Sequence, residues 1–437
     1  MQNNAHETIP FSRPYLGREE EEAVIRVLRS GWLTTGKETI EFEKEFCEFL
    51  KNPDNHNGKN TEAGKSSGTG EELFCMAVNS ATSGLHLALE ASGIRAGDLV
   101  LIPSMTFTAT AEVIRYLGAE AIFVDVAKDS FHMDPAALEH TLEKLEKGVS
   151  PYASGASQRG RAKAVIPVHY GGLPCDMEAI LRIAEKYDLK VIEDAAHSFP
   201  SFVHDKTKSG PGRWAGLMGD VGVFSFYATK TISTGEGGMV VTRNKAIAER
   251  IRIMRSHGID RSVWNRYTDT SASWYYEVVE PGFKYNIPDL LSALGRVQLR
   301  RAMDLLSMRQ EIAGLFDAAF TSEVKAADVS VITIPAKGPG DARHLYPLRL
   351  NLEHLTIDRN QFAAKMQEHG IGISVHFIPL HIMPYYKERY SLKKDDLFET
   401  MKSYSRVISL PIWPGMNKTQ ISRVITVVKT LGSEYTR

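Results

Sequence analysis

Cysteine is scarce in this chain and poorly arranged for bonding. Cys47, Cys75 and Cys175 are odd in number and far apart along 437 residues. No CxxC pair occurs, so neither a zinc site nor a disulfide framework is indicated, and the pattern fits a reducing cytosol. Excess charge is also missing: a net charge of −1 gives no overall pull toward nucleic acid or anionic lipid. No apolar run approaches the ~20 residues of a membrane-spanning helix. The N-terminal Met1-Gln2-Asn3-Asn4-Ala5-His6 lacks the apolar core of a signal peptide. The remaining composition, 43% hydrophobic and 24% charged, is that of a globular enzyme, and the chain is too long for one small core.

The motifs PFSRP (10–14) and SGWLTTG (30–36) bracket a helical pattern from Glu19 to Leu28, read as an N-terminal arm and first helix. Residues 51–72, KNPDNHNGKNTEAGKSSGTGEE, are polar and aperiodic and read as a flexible surface insertion. Their SGTG has neither the leading strand nor the GK[ST] ending of a phosphate loop. Seven short apolar runs then recur, at 75–78, 99–102, 121–126, 164–168, 190–193, 221–225 and 238–242. Most are separated by segments of helical period, such as the face Met177, Ile180, Leu181 and Ala184. The alternation predicts an α/β fold with a mostly parallel seven-stranded sheet between helices. Ligands of such sheets sit beyond the carboxyl ends of the strands. After PGFKYNIPDLLSALG (281–295) a long helix is predicted from Arg296 to Phe320, followed by a smaller α+β unit. That unit has a strand at 344–350 and a helix over 359–369, capped by Asp358 with Gln361 and stopped by Gly370. The expected division is a large domain with its arm over 1–300 and a small C-terminal domain over 301–437.

Chemistry-bearing residues fall where those strands end. FSFYATK (224–230) runs from an apolar strand into a polar turn, followed by TISTGEGG. Lys230 is either a solvated loop lysine, the common case, or a Schiff-base lysine held beside a carbonyl cofactor. In NSATSGLHLAL (79–89), Ser80 or Thr82 reads as a helix cap. Alternatively the turn is an anion site, with the hydroxyls of Thr82 and Ser83 joining the free N–H groups. Phe107, in IPSMTFTAT, is a core aromatic or a ring stacked on a flat heterocycle. Asp194, in VIEDAAHS, ends its strand as a cap or as the partner of a pyridine nitrogen, which would make that ring an electron sink. Such a charge-assisted bond is worth roughly 1.5–3 kcal/mol away from water. His197 faces the ring or substrate, or caps a turn. Ser225, five residues before Lys230, adds a hydroxyl to the same anion site.

In this order the set resembles the fold-type I enzymes that use pyridoxal 5′-phosphate (PLP), the aspartate aminotransferase-like class. The match extends over about residues 9–430 through SGWLTTG, SATSGLHLAL, PSMTFTAT, VIPVHYGGLPCDM, VIEDAAH, FSFYATK, GEGG, PGFKYN, VHFIPLH and SLPIWPGM. These motifs resemble the DegT-type sugar aminotransferases, within them most closely the enzymes that form UDP-4-amino-4-deoxy-L-arabinose with glutamate and 2-oxoglutarate as the donor couple. The resemblance implies that Lys230 binds PLP and shuttles the proton, Asp194 pairs with the ring nitrogen and Phe107 stacks on the ring. It places Thr82, Ser83 and Ser225 at the phosphate, and His197 beside the ring. Lys284 or Asn286 would complete the phosphate site of the partner in a homodimer. His376 and His381, in VHFIPLH, would lie on the sugar-nucleotide side. The implied reaction moves the amino group of glutamate onto a keto group, C4, of a nucleotide-linked sugar for surface polysaccharide or lipopolysaccharide, in the cytoplasm, without metal, membrane or nucleic acid. Alternatives are a dehydratase-like or a non-catalytic member of the fold. Related dehydratases replace the lysine with histidine, and retention of Lys230, Asp194 and Ser225 argues against both. The stretches 51–72, 148–162 and 204–219 are longer than the family pattern and leave the sugar open.

Overall fold

The structure, a computed structural model, describes residues 8–52, 72–156, 159–203, 212–260, 275–322, 331–335, 337–338 and 340–437. Nearly all of the 51–72 insertion lies outside the described residues, as does the first half of the 204–219 stretch.

Strands follow the apolar runs closely. In chain order they are β1 Phe74–Val78, β2 Leu99–Pro103, β3 Glu120–Val124, β4 Ala162–Val165 and β5 Lys190–Asp194, then the short pair β6 Phe202–Val203 and β7 Arg213–Trp214, then β8 Val221–Ser225 and β9 Gly238–Thr242. Every residue of β1, β2, β8 and β9 is buried. Helices cover both faces of the sheet, so these strands read as continuous apolar runs and not as alternating ones. The sheet order is β1-β9-β8-β5-β4-β2-β3. β9 runs antiparallel to both its neighbours, and the other pairings are parallel. One edge of the sheet therefore gathers the carboxyl ends of β1, β2, β5 and β8 together with the first residue of β9.

A second sheet, β10 Ile332–Thr333, β11 Tyr346–Leu350 and β12 Val407–Leu410, is antiparallel. Its Tyr346, Leu348 and Leu350 share a core with Phe316 and Phe320 of helix Ala302–Ser322, Phe362 of helix Arg359–Glu368, and Val424 and Leu431 of helix Lys418–Glu434. Asp358 and Gln361 cap helix Arg359–Glu368 reciprocally, with both bonds at 2.9 Å, and Gly370 takes φ +72° beyond its end.

Three sequence expectations shift. The single helix from Arg296 to Phe320 is two helices, Asp289–Arg300 and Ala302–Ser322. The chain breaks at Arg301, whose guanidinium is drawn to the buried Glu20 of the first helix at 2.6 Å. The earlier start serves the arm: the buried Asp289 carboxylate accepts N–H bonds from Gly36 at 2.7 Å and Thr39 at 3.0 Å. It thereby caps helix Lys37–Lys51 from a distance of 250 residues in sequence. The strand expected at 344 starts at Tyr346, because Arg343 is left-handed (φ 47°) and Ala342 and Leu345 donate to Gly172 and Gly171 instead of a sheet neighbour. Helix Met177–Lys186 buries Ile183 beside Met177, Ile180 and Ala184, while Leu181 is only partly covered. No helix among the described residues is long and apolar enough to cross a membrane.

Candidate active site

Asp194 is the last residue of β5, and its backbone is fixed before its side chain acts. Its N–H donates to Pro167 O at 2.9 Å, and its carbonyl accepts from His169 N at 3.1 Å. The carboxylate is buried and receives Thr110 Oγ1–H at 2.8 Å and Ala196 N–H at 3.2 Å. Thr106 and Thr110 hydroxyls meet at 2.8 Å, so the segment after β2 supplies this support. Burial raises the Asp194 pKa against the lowering effect of the Thr110 bond, the Ala196 amide and the charge of Lys230.

Lys230 lies in the turn between β8 and β9, its N–H bonded to Tyr227 O at 2.9 Å. The turn folds on itself: Thr234 N donates to Phe226 O and Phe226 N to Gly237 O, both at 2.9 Å. Burial pushes the amine down to about 8, Asp194 opposes that shift and Arg309 adds to it. The amine and the Asp194 carboxylate therefore lie within electrostatic reach of each other, around one candidate recess.

Three histidines line that recess. Gly171 N–H donates to His197 Nδ1 at 3.2 Å, which leaves the ring proton on Nε2. Burial, Lys230 and His376 hold His197 well below its ordinary pKa, so the ring stays neutral. Phe377 stacks against it, with centroids 5.7 Å apart and planes at 23°. His376 bonds Ser409 Oγ through Nδ1 at 2.9 Å, and burial with Lys230 lowers it to about 4. The third, His344, was not singled out from the sequence. Its ring centroid lies 4.5 Å from that of His197, and burial followed by Lys230 holds it well below its ordinary value. Its Nδ1 is buried with no partner among the described residues. The signal was thin, a histidine opening the strand expected at 344–350. Thr110 was within the quoted IPSMTFTAT motif but was given no role.

The anion turn is built from the end of β1 and helix Ala81–Ala91. Ser80 is the cap: its Oγ accepts Ser83 N at 3.1 Å, and Ser83 Oγ accepts Ser80 N at 3.2 Å. Ser83 also donates to Asn79 Oδ1 at 2.7 Å, so its hydroxyl is spent within the turn. Thr82 keeps its hydroxyl free of partners among the described residues. Ser225 accepts Tyr227 N–H at 3.3 Å and pairs across the ladder with Gly238. A Cβ on Gly238 would meet Ala81 N and Phe224 O at 2.8 Å each. The cradle therefore admits only bare backbone at this point, as an anion held by N–H groups requires.

The remaining candidates lie apart or at the rim. Phe107 is 59% exposed, its ring 6.1 Å from that of Phe377. His381 is fully buried, bonding Ser104 Oγ at 2.8 Å and Lys394 O at 3.2 Å, so both ring nitrogens are used away from the recess. Lys284 is exposed. Asn286 bridges to Val78 on the outer side of β1 and donates to Thr35 Oγ1 at 2.6 Å, its own Oδ1 buried without a partner among the described residues. Among the described residues no cluster of His, Cys, Asp or Glu is placed to hold a metal.

The model of the DegT/DnrJ/EryC1/StrS aminotransferase family matches residues 14–57 and 62–429. The chain belongs to that family. It is similar to the spore coat polysaccharide biosynthesis protein SpsC of Bacillus subtilis (strain 168), 39% identical over 425 residues and 97% of each chain. Among solved structures, Helicobacter pylori PseC, an aminotransferase involved in the biosynthesis of pseudoaminic acid, superposes with TM-score 0.79 at 25% identity, over 98% of this chain and 100% of that one. Spr1654 of Streptococcus pneumoniae, in its PMP-form, does so with TM-score 0.79 at 27% identity over 98% of each chain. The fold is thus the α/β fold of the PLP-dependent aminotransferases, as the sequence predicted.

Proposed function

We propose that this family member moves the amino group of glutamate onto a keto group, at C4, of a nucleotide-linked sugar in the cytoplasm, supplying a surface polysaccharide or lipopolysaccharide. PLP is its cofactor, and when bound it supplies a ring that accepts electrons from the substrate carbon losing its proton. The observation that carries the reading is the Lys230 amine, lowered to about 8, facing the buried Asp194 carboxylate in one recess. A lysine of that pKa has a far larger neutral fraction near neutrality than an ordinary lysine, which suits it both to bind an aldehyde and to carry a proton. Asp194 would hold a proton on the ring nitrogen, with Thr110 keeping the carboxylate aligned. Thr82, Ser225 and the first amides of helix Ala81–Ala91 would hold the phosphate, with Ser83 shaping the turn. His197, neutral and protonated on Nε2, offers a donor beside the ring, and Phe107 offers an exposed face.

A sugar substrate is supported by the likeness to a polysaccharide biosynthesis protein and to PseC. The narrower choice of a UDP-linked 4-keto pentose rests on motif resemblance. His376 is the better of the two candidate sugar-side histidines, since His381 is enclosed. A homodimer with shared sites is supported by Lys284, exposed next to the β1 edge, and by exposed apolar side chains on the arm and first two helices, among them Ile25, Leu28, Leu33 and Ile40. We take 1–300 and 301–437 as the two domains.

The test is spectroscopic. Protein loaded with PLP is expected to show the visible band of lysine-bound cofactor, to lose it with glutamate, and to regain it with a nucleotide-linked 4-keto sugar but not with the free sugar. A band that glutamate leaves unchanged would overturn the transaminase reading and favour a binding protein.

A further inference from the structure

Arg309, on helix Ala302–Ser322, is 2% exposed. A buried guanidinium is normally matched by a carboxylate. Among the described residues its hydrogen bonds go to backbone carbonyls: Ile412 O at 2.8 Å, His344 O at 3.3 Å and Thr229 O at 3.2 Å. Its Nε has no partner among the described residues. The three carbonyls belong to three segments around the recess. Thr229 immediately precedes Lys230. His344 carries the ring packed against His197. Ile412 lies two residues beyond β12.

An apolar residue could fill this space more cheaply if packing were the only requirement, since an unmatched buried charge is costly. The planar fork has geometry that a lysine lacks: it can reach several carbonyls at fixed angles. We propose that Arg309 is a positioning residue for Lys230: its guanidinium fastens the backbone turn that carries the amine to the loops at 344 and 412, and faces the amine with a fixed positive charge. The proposal rests on Lys230 being the cofactor-binding lysine.

Electrostatics agrees with the geometry. Arg309 is among the causes that lower the Lys230 amine, after burial and against Asp194. Burial alone brings Arg309 down to about 10, so it remains a cation at neutral pH. The other groups facing Lys230 are Asp194 from β5 and the rings of His197, His344 and His376, all three held neutral. Removing Arg309 therefore removes the cation next to the amine, with no other one to take its place in this set.

The experiment compares wild type, Arg309→Met and Arg309→Lys. First, borohydride reduction of the PLP-loaded wild type, with peptide mapping, asks whether the cofactor is trapped at residue 230. Trapping elsewhere or nowhere ends the Lys230 reading and this proposal with it. With trapping at 230, the cofactor is removed and the rate of Lys230 modification by an amine reagent is followed against pH. The expected midpoint is about 8 in the wild type and higher by roughly one pH unit in Arg309→Met, since the cation that disfavours the charged amine is gone. Arg309→Lys is expected to keep the midpoint near that of wild type and to lose at least about tenfold in kcat, because charge remains but the fork is gone. A purely structural clamp would lower the melting temperature in both variants and leave both midpoints unchanged; that result overturns the proposal. If Arg309→Met does not fold, Arg309→Gln takes its place, since it also removes the charge: a midpoint raised as in the Met case sustains the proposal, and an unmoved one overturns it.

Discussion

Two acids stand next to each other at the end of β5, and they differ in almost every physical respect. Glu193 and Asp194 are both buried, but neighbours on a strand point to opposite faces. On one face, Glu193 is saturated. Its carboxylate accepts the amides of Gly216 at 2.8 Å, Met218 at 2.5 Å and Gly219 at 2.6 Å, and His169 Nε2 at 2.8 Å. Cys175 N–H donates to His169 Nδ1 at 3.1 Å, which turns Nε2–H toward Glu193. Burial works against the Glu193 charge, and these donors outweigh it and hold the pKa low. On the other face, Asp194 has two donors and a raised pKa. A carboxylate has about four acceptor sites. Glu193 has filled them with its own chain, and Asp194 has kept some in reserve. A buried acid with spare capacity beside an amine of lowered pKa is a group waiting for a ligand, whereas a saturated one is a structural pin.

The pin has a visible job. Glu193 gathers the loop at 214–219 under β8, where the backbone passes so closely that a Cβ on Gly222 would stand 1.9 Å from Gly216 O. The strand carrying the site is thus braced from behind by one acid while its neighbour works at the front.

The sharpest test of this contrast is at the amine that Asp194 faces. Lys230→Ala is expected to reduce turnover by at least about 10³-fold, since in the proposed function the lysine would both bind the cofactor and move the proton. Circular dichroism should show an unchanged fold, because Lys230 forms no hydrogen bond from its side chain to the described residues. Substantial residual transamination would remove the front face from the chemistry altogether.

Next come the two acids themselves. Asp194→Asn should still bind PLP but slow the glutamate half-reaction by about 10²-fold or more, as a neutral amide cannot hold the ring nitrogen protonated. Glu193→Gln should do the reverse. Its amide would point an N–H at a backbone N–H, leaving buried donors unpaired at a cost of about 1–3 kcal/mol. Denaturant melts should show that loss, with the glutamate half-reaction changed less than about fivefold. If the two variants exchanged phenotypes, the assignment of front and back would be wrong.

Much of this was legible in the sequence, and for identifiable reasons. Strands buried on both faces announce themselves as unbroken apolar runs, so all seven were placed within a few residues. The candidate site residues at a strand end or in the turn just after one, Asp194, Ser225 and Lys230, were visible because polar residues interrupt those runs abruptly. The capping pair Asp358 and Gln361 was legible for a local reason, its spacing of three. What stayed hidden depends on distant partners. Arg309 sits in an ordinary helical pattern, and nothing nearby shows that its acceptors are 80 and 103 residues away. The break at Arg301 is caused by Glu20, at the far end of the chain's large unit. His381 looked equal to His376 because both belong to one motif, and only the packing of Ser104 and Lys394 separates them.

The smallest expected effect is also the most specific to the comparison, because the two acids should respond to pH with opposite signs. Glu193 has a folded pKa below its ordinary 4.5, so its contribution to stability is present above that value and is lost as pH falls through the folded pKa. Asp194 has a folded pKa above its ordinary 3.8, so folding favours its protonated form, and its contribution is greatest in acid and fades as pH rises through the folded pKa. With the cofactor removed, urea melts between about pH 3 and 6 would give the stability of wild type, Glu193→Gln and Asp194→Asn at each pH. The advantage of wild type over Glu193→Gln should widen as pH rises, and that over Asp194→Asn should narrow. Parallel curves would mean that the two carboxylates share one environment, and the distinction between a satisfied acid and a ligand-ready one would not hold at β5.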